Sequence, residues 1–217
     1  MAGKILVVGS LHLDVIVHSS RLPKPDETLL GDNVSYRFGG KGGNQAVAAA
    51  KIDVQVFMAG RIGTDNFGKQ IYDTLSNQNI NLDGLKMVDE ATGMSVALIG
   101  SDGIYCAVVV SGANQTIDLS EITVPDDLTV LVLQNEINTD ANFEIIKKVP
   151  KSTFIILNAA PALTPNKDFF ERIDLLVVNQ LEAKMLLNEE PSIFNNLDAL
   201  RKLSLIHISE PTRHRGI

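Results

Sequence analysis

The sequence has a single cysteine, Cys106, so no disulfide can close within the chain. It is short of cations: 19 Lys and Arg stand against 26 Asp and Glu, giving a net charge of −7 and a pI near 5.1. Nucleic acids and anionic membranes are bound through clustered Lys and Arg, so this balance argues against both and favours small molecules as partners. No apolar run reaches membrane-spanning length, because Asp14 and His18 interrupt the most hydrophobic N-terminal region. A long apolar leader is missing too, since Met1-Ala2-Gly3-Lys4 runs straight into a strand-like segment. These absences predict a soluble, cytoplasmic protein. What is present is 45% hydrophobic residues and a mean hydropathy of +0.11, enough over 217 residues to bury a substantial core.

Short apolar runs alternate with segments of helical period. Residues 5–8, 54–59, 130–133, 154–157 and 175–178 read as buried strands, and 44–51, 65–75, 139–148, 166–172 and 180–187 read as helices. Continuous Val/Ile/Leu strands separated by helices predict a parallel sheet covered on both faces, the α/β class. Two regions break the rhythm. Residues 15–17 with 28–37, and 85–88 with 94–99 and 105–110, read as strands joined by turns such as Ser101-Asp102-Gly103. They predict a small, mostly antiparallel sheet standing off the main one, suited to close over a site and exclude water. A functionless edge meander fits that pattern alone equally well.

The stretch FGGKGGNQAVAAA, residues 38–50, sets four glycines and a lysine before an alanine-rich helix. A P-loop needs Ser or Thr after its lysine, and Lys41 is followed by Gly42. A Rossmann site needs Gly-x-Gly-x-x-Gly after the first strand, and Gly9-Ser10-Leu11-His12-Leu13-Asp14 has one glycine. What remains is a helix start whose unpaired N–H groups face polar oxygens, with Lys41 and Asn44 beside it as donors for hydroxyls. A glycine turn that merely packs the helix on the sheet explains the alanines, but not a lysine between glycine pairs.

These residues carry a resemblance. VVGSLHLDVIV, RLPKPDETLLGDNVSYRFGGKGGNQAVAAAK, ATGMSVALI, SGANQTI, LVLQNEI, LNAAPA and VVNQLEA occur in the order and spacing found in ribokinase-like sugar kinases of the PfkB family, over residues 4 to about 200. The resemblance implies a three-layer α/β/α fold with a β-sheet lid, incomplete at its C-terminus, in which 1–203 form a partial kinase domain and the lid strands fall within about 12–40 and 85–112. It implies ATP-dependent phosphoryl transfer to the terminal hydroxyl of a sugar, with Mg2+, and it allows for a monovalent cation such as K+. It also implies roles residue by residue. Asp14, Gly40, Lys41, Asn44 and Glu136 fall on sugar-contacting positions, Asn179 on the position near the ATP phosphates, and Glu182 on the glutamate that organises magnesium through water. Read without the family, Asp14 is a polar strand exit, Glu136 a loop charge, and Asn179 with Glu182 a helix cap and its N3 partner. A homodimer through the lids is the implied assembly.

Two departures bear on function. The family has asparagine where this chain has His12, a larger group with a different pairing of donor and acceptor, which opens a deoxysugar, another pentose or hexose, or a nucleoside as substrate beside ribose. The Asp-Thr-x-Gly-Ala-Gly-Asp element that carries the family's catalytic base is absent, and from Ser204 to Arg213 the chain reads as one frame of the transposase sequencing adapter TCTCTTATACACATCTCCGAGCCCACGAGA. Residues 204–217 are therefore expected to be a non-native tail, and the fragment to be inactive. A nucleoside kinase of the same fold and a non-catalytic sugar-binding or regulatory protein are the competing expectations.

Overall fold

The structure, a computed structural model, describes residues 3–163 and 167–189. The expected tail from Ser204 and the first residue of the helix expected over 166–172 lie outside the described residues. Six parallel strands form the main sheet in the order β10-β9-β8-β1-β4-β5: β1 (Lys4–Val8), β4 (Gln55–Gly63), β5 (Ile80–Val88), β8 (Val130–Gln134), β9 (Phe154–Asn158) and β10 (Leu175–Val177).

Successive side chains of a strand point to opposite faces, and here both faces are apolar. Leu6 and Val8 of β1, with Leu131, Leu133, Ile155 and Leu157, turn to one face. There they pack on α3 (Thr139–Lys148) through Ala141 and Ile145, on α4 (Lys167–Phe170) through Phe169, and on α5 (Gln180–Glu189) through Leu186. Val7, Met58 and Val132 turn to the other face, against Ala46 of α1 (Lys41–Ala49) and Ile71 and Leu75 of α2 (Asn66–Ser76). The result is the expected three-layer α/β/α core. Asp65 caps α2: its carboxylate accepts from the Gly68 N–H at 2.8 Å and from the Thr92 N–H and Oγ–H at 2.8 and 2.6 Å. Burial pushes the Asp65 carboxyl up, but the bonds from Thr92 and Gly68 outweigh it and hold the group below the usual range.

The second sheet, in the order β3-β2-β6-β7, is built from β2 (His12–Ser19), β3 (Asn33–Gly39), β6 (Gly93–Gly100) and β7 (Tyr105–Val110). Its two outer pairs are antiparallel, but its centre, β2 against β6, is parallel. The expected strand at 85–88 belongs elsewhere: it is the second half of β5, paired with β4 at the rim of the main sheet, where Leu85 is buried in the core. One side chain ties the entry of this lid to its exit. The buried Asn114 accepts from the Leu11 N–H at 2.8 Å and donates to the carbonyls of Leu11 and Ser111, both at 2.9 Å.

Candidate functional site

Parallel strands end on one side of the sheet, and ligands in open α/β folds lie beyond those ends. The segments that follow β1 and β8 meet there at the start of α1. Gly40, the residue before the helix, has φ 87°, a conformation that L side chains rarely adopt, and this turns the chain from β3 into α1. The N–H groups of the helix start do face polar oxygens, as the sequence suggested, but these oxygens belong to the chain itself. The Lys41 N–H donates to Glu136 Oε2 at 3.0 Å, the Gly42 N–H to Ser10 Oγ at 3.4 Å and the Gly43 N–H to the Ser10 carbonyl at 2.9 Å. Ser10 Oγ–H in turn donates to Glu136 Oε2 at 2.5 Å, and the Lys41 ammonium lies 3.7 Å from Glu136 Oε1. The positive end of α1 thus holds an anion from within the chain, the Glu136 carboxylate.

Glu136 owes its place to the buried Gln134 and Asn135 before it. Gln134 accepts from the Ser10 N–H at 3.3 Å and donates to Gln45 Oε1 at 2.8 Å, and Asn135 donates to the Pro161 carbonyl at 2.9 Å. A cleft of about 640 Å³ opens beside this knot, with Lys41, Glu136, Asn135, Val109 and Glu182 in its wall. It has the volume of a small-molecule site.

His12 and Asp14 share one face of β2, two residues apart. Asp14 is half-buried; its carboxylate sits over Gly39 of β3, where an added Cβ would fall 2.2 Å from Asp14 Oδ2, and it accepts from Ser95 Oγ–H of β6 at 2.5 Å. Gly39 therefore makes room for the carboxylate. His12 is 3% exposed, and its Nε2 is buried without a partner among the described residues. Burial pushes the imidazole below its ordinary value, against the pull of the Glu136 and Asp14 charges, so the ring is neutral near pH 7.

The structure thus brings Lys41, Glu136 and Glu182 to one cleft and places His12 and Asp14 on the lid beside it. Asn44 is exposed on the first turn of α1, where its N–H bonds the Gly40 carbonyl at 3.0 Å. Asn179 and Glu182 form a reciprocal helix cap: the Asn179 N–H donates to Glu182 Oε2 and the Glu182 N–H to Asn179 Oδ1, both at 2.8 Å. Among the described residues no three acidic, histidine or cysteine side chains converge to hold a metal ion, so Glu182 offers one carboxylate rather than a centre. Sequence reasoning missed Ser10, Ser95 and Asn114. All three stand in the stretches that carried the resemblance, yet a serine or an amide there has no local pattern to mark it.

The chain resembles known proteins in sequence and in fold. The chain is 33% identical over 190 residues to the ribokinase of Bacillus subtilis, covering 85% of this chain and 65% of that protein. It is 33% identical over 207 residues to the ribokinase of Arabidopsis thaliana, covering 90% and 54%. The chain thus spans about half to two thirds of the length of these two relatives. The solved structure of Arabidopsis thaliana ribokinase complexed with ribose and ATP superposes with a TM-score of 0.78 at 31% identity, covering 94% of this chain and 70% of that one. Residues 2–210 match the pfkB family carbohydrate kinases, and the chain belongs to that family.

Proposed function

We propose that this chain carries the sugar grip of an ATP-dependent carbohydrate kinase that phosphorylates the terminal hydroxyl of ribose or a related sugar. The observation that carries the reading is the cleft with Lys41 and Glu136 in its wall, their charged groups 3.7 Å apart, and the Asp14 carboxylate on the lid strand beside it. Ionised carboxylates only accept hydrogen bonds and an ammonium only donates, so the set suits hydroxyls, which do both. Lys41 and Glu136 then hold the sugar from the core and Asp14 from the lid, with His12 shaping the pocket in place of a smaller amide. ATP supplies the phosphoryl group, and Mg2+ neutralises charge on its phosphates. Such an ion would be held by one or two carboxylates together with substrate phosphates, and Glu182, in the cleft wall, would supply one, with Asn179 next to it.

Titration calorimetry with D-ribose, 2-deoxy-D-ribose and adenosine tests the substrate class. A free pentose is expected to bind tightest; adenosine binding tighter than either sugar would make the site that of a nucleoside kinase, and no binding by the folded chain would refute the grip. These 217 residues contain no Asp-Thr-x-Gly-Ala-Gly-Asp element, so ATP-dependent turnover is expected to be absent, and its detection would contradict the division between grip and catalytic base. The lid face opposite Asp14 bears a row of Tyr36, Val15, Val96 and Val108, three of them exposed, as the surface for pairing with a second copy. Light scattering of Val108→Asp against the parent chain tests it: a dimer reduced to monomer supports the pairing, and an unchanged mass contradicts it.

A further inference from the structure

We propose that Ser95 is a positioning residue of the substrate site, which fixes the Asp14 carboxylate for the sugar and sharpens the choice between sugars with and without a full set of hydroxyls. The inference rests on the sugar-binding reading above. Ser95 is the only polar side chain in β6, whose sequence is GMSVALIG. It stands directly opposite Asp14 in the parallel register of β2 and β6, and on its other side it faces Val109 of β7, which has no polar side-chain atom. The hydroxyl therefore has one polar side-chain neighbour in its row, and its Oγ–H donates to Asp14 Oδ1 at 2.5 Å. Gly39 leaves the space that Asp14 Oδ2 occupies, so the carboxylate is held by a hydrogen bond on one side and seated over bare backbone on the other. Val109 lines the cleft, which puts this row of the lid at the cleft's edge.

The chemistry follows from the direction of that bond. With its proton committed to Asp14, the Ser95 oxygen presents only lone pairs, as does the carboxylate. Lid and hydroxyl together form an acceptor surface, fixed before the ligand arrives, that rewards each sugar hydroxyl donating to it. A carboxylate without the serine would have to give up rotational freedom on binding, which weakens the complex. A sugar lacking one hydroxyl leaves part of the surface unmatched.

The test is titration of D-ribose and 2-deoxy-D-ribose into the chain and its Ser95→Ala, Ser95→Thr, Asp14→Ala and Asp14→Ala/Ser95→Ala variants, with the melting temperature of each. Ordering a side chain only on binding costs up to about 1.4 kcal/mol, a factor of ten. Ser95→Ala is therefore expected to weaken D-ribose binding roughly tenfold and to narrow the ratio of affinities for the two sugars, while Ser95→Thr, which keeps the hydroxyl, restores both. In the Asp14→Ala background the serine change is expected to add nothing, because it acts through the carboxylate. A role confined to holding the lid together would lower the melting temperature and weaken both sugars alike. Equal D-ribose affinity for the parent chain and Ser95→Ala would overturn this inference alone, as would an undiminished Ser95 effect without Asp14. A folded parent chain that binds neither sugar would overturn the functional reading and this role with it.

Discussion

The two halves of the candidate site differ in how they treat their charges. In the core half, Glu136 is satisfied before any ligand arrives: the start of α1, Ser10 and Lys41 all point at it. In the lid half, Asp14 has one hydrogen-bond partner among the described side chains, Ser95, and the neighbouring His12 nitrogen has none. The core half is a fixed frame whose removal should damage the fold. On the proposed reading the lid half keeps its hydrogen-bonding capacity for the sugar, and its removal should damage binding while sparing the fold.

The comparison breaks most visibly at Glu136. Glu136→Ala leaves the first N–H of α1 and the Ser10 hydroxyl without their acceptor, and a loss of about 2–3 kcal/mol is expected from such charge-assisted bonds. Urea denaturation of the variant should show that loss together with the loss of sugar binding. Next comes Asp14→Ala, for which calorimetry should show at least a tenfold loss of D-ribose affinity with an unfolding midpoint close to the parent's. An equal loss of stability in both variants would erase the distinction between frame and lid.

Acid sharpens the contrast. The His12 imidazole is held below its ordinary value of 6.5 in the folded chain, so folding favours the neutral ring. Between the folded and unfolded values the unfolded chain binds more protons, so this contribution is fully present above about pH 6.5 and is lost as pH falls below it. Melting curves from pH 8 to pH 5 should show the parent losing ground to His12→Asn as the pH drops; parallel curves would mean that burial does not hold the His12 ring neutral in the folded chain. The smallest effect is expected at Asn179→Ala, which removes half of the reciprocal cap of α5, about 1 kcal/mol in chemical denaturation.

The core was legible because a strand buried on both faces must be apolar throughout, as in residues 5–8, and a helix on one face of a sheet shows its stripe, as Ile71 and Leu75 do in α2. The strand β5 deceived for a physical reason. At the rim of a parallel sheet one face is half-open to water, so Lys86 and Met87 are exposed and residues 85–88 lack the continuous apolar run of a strand buried on both faces. The parallel centre of the lid was invisible too, since strand direction follows from pairing between distant segments. Local pairs in the site could be read, as Asn179 and Glu182 were. The Glu136 carboxylate at the start of α1 could not, because the two partners lie 95 residues apart and no local pattern joins them.

The central claim is that one ligand is held by both halves at once. Titration of D-ribose into the isotope-labelled chain, followed through backbone amide resonances, tests it most directly. The account predicts that Asp14 and Ser95 on the lid and Lys41 at the start of α1 shift together, with one shared dissociation constant. Shifts confined to one half, or separate constants for the two, would contradict it.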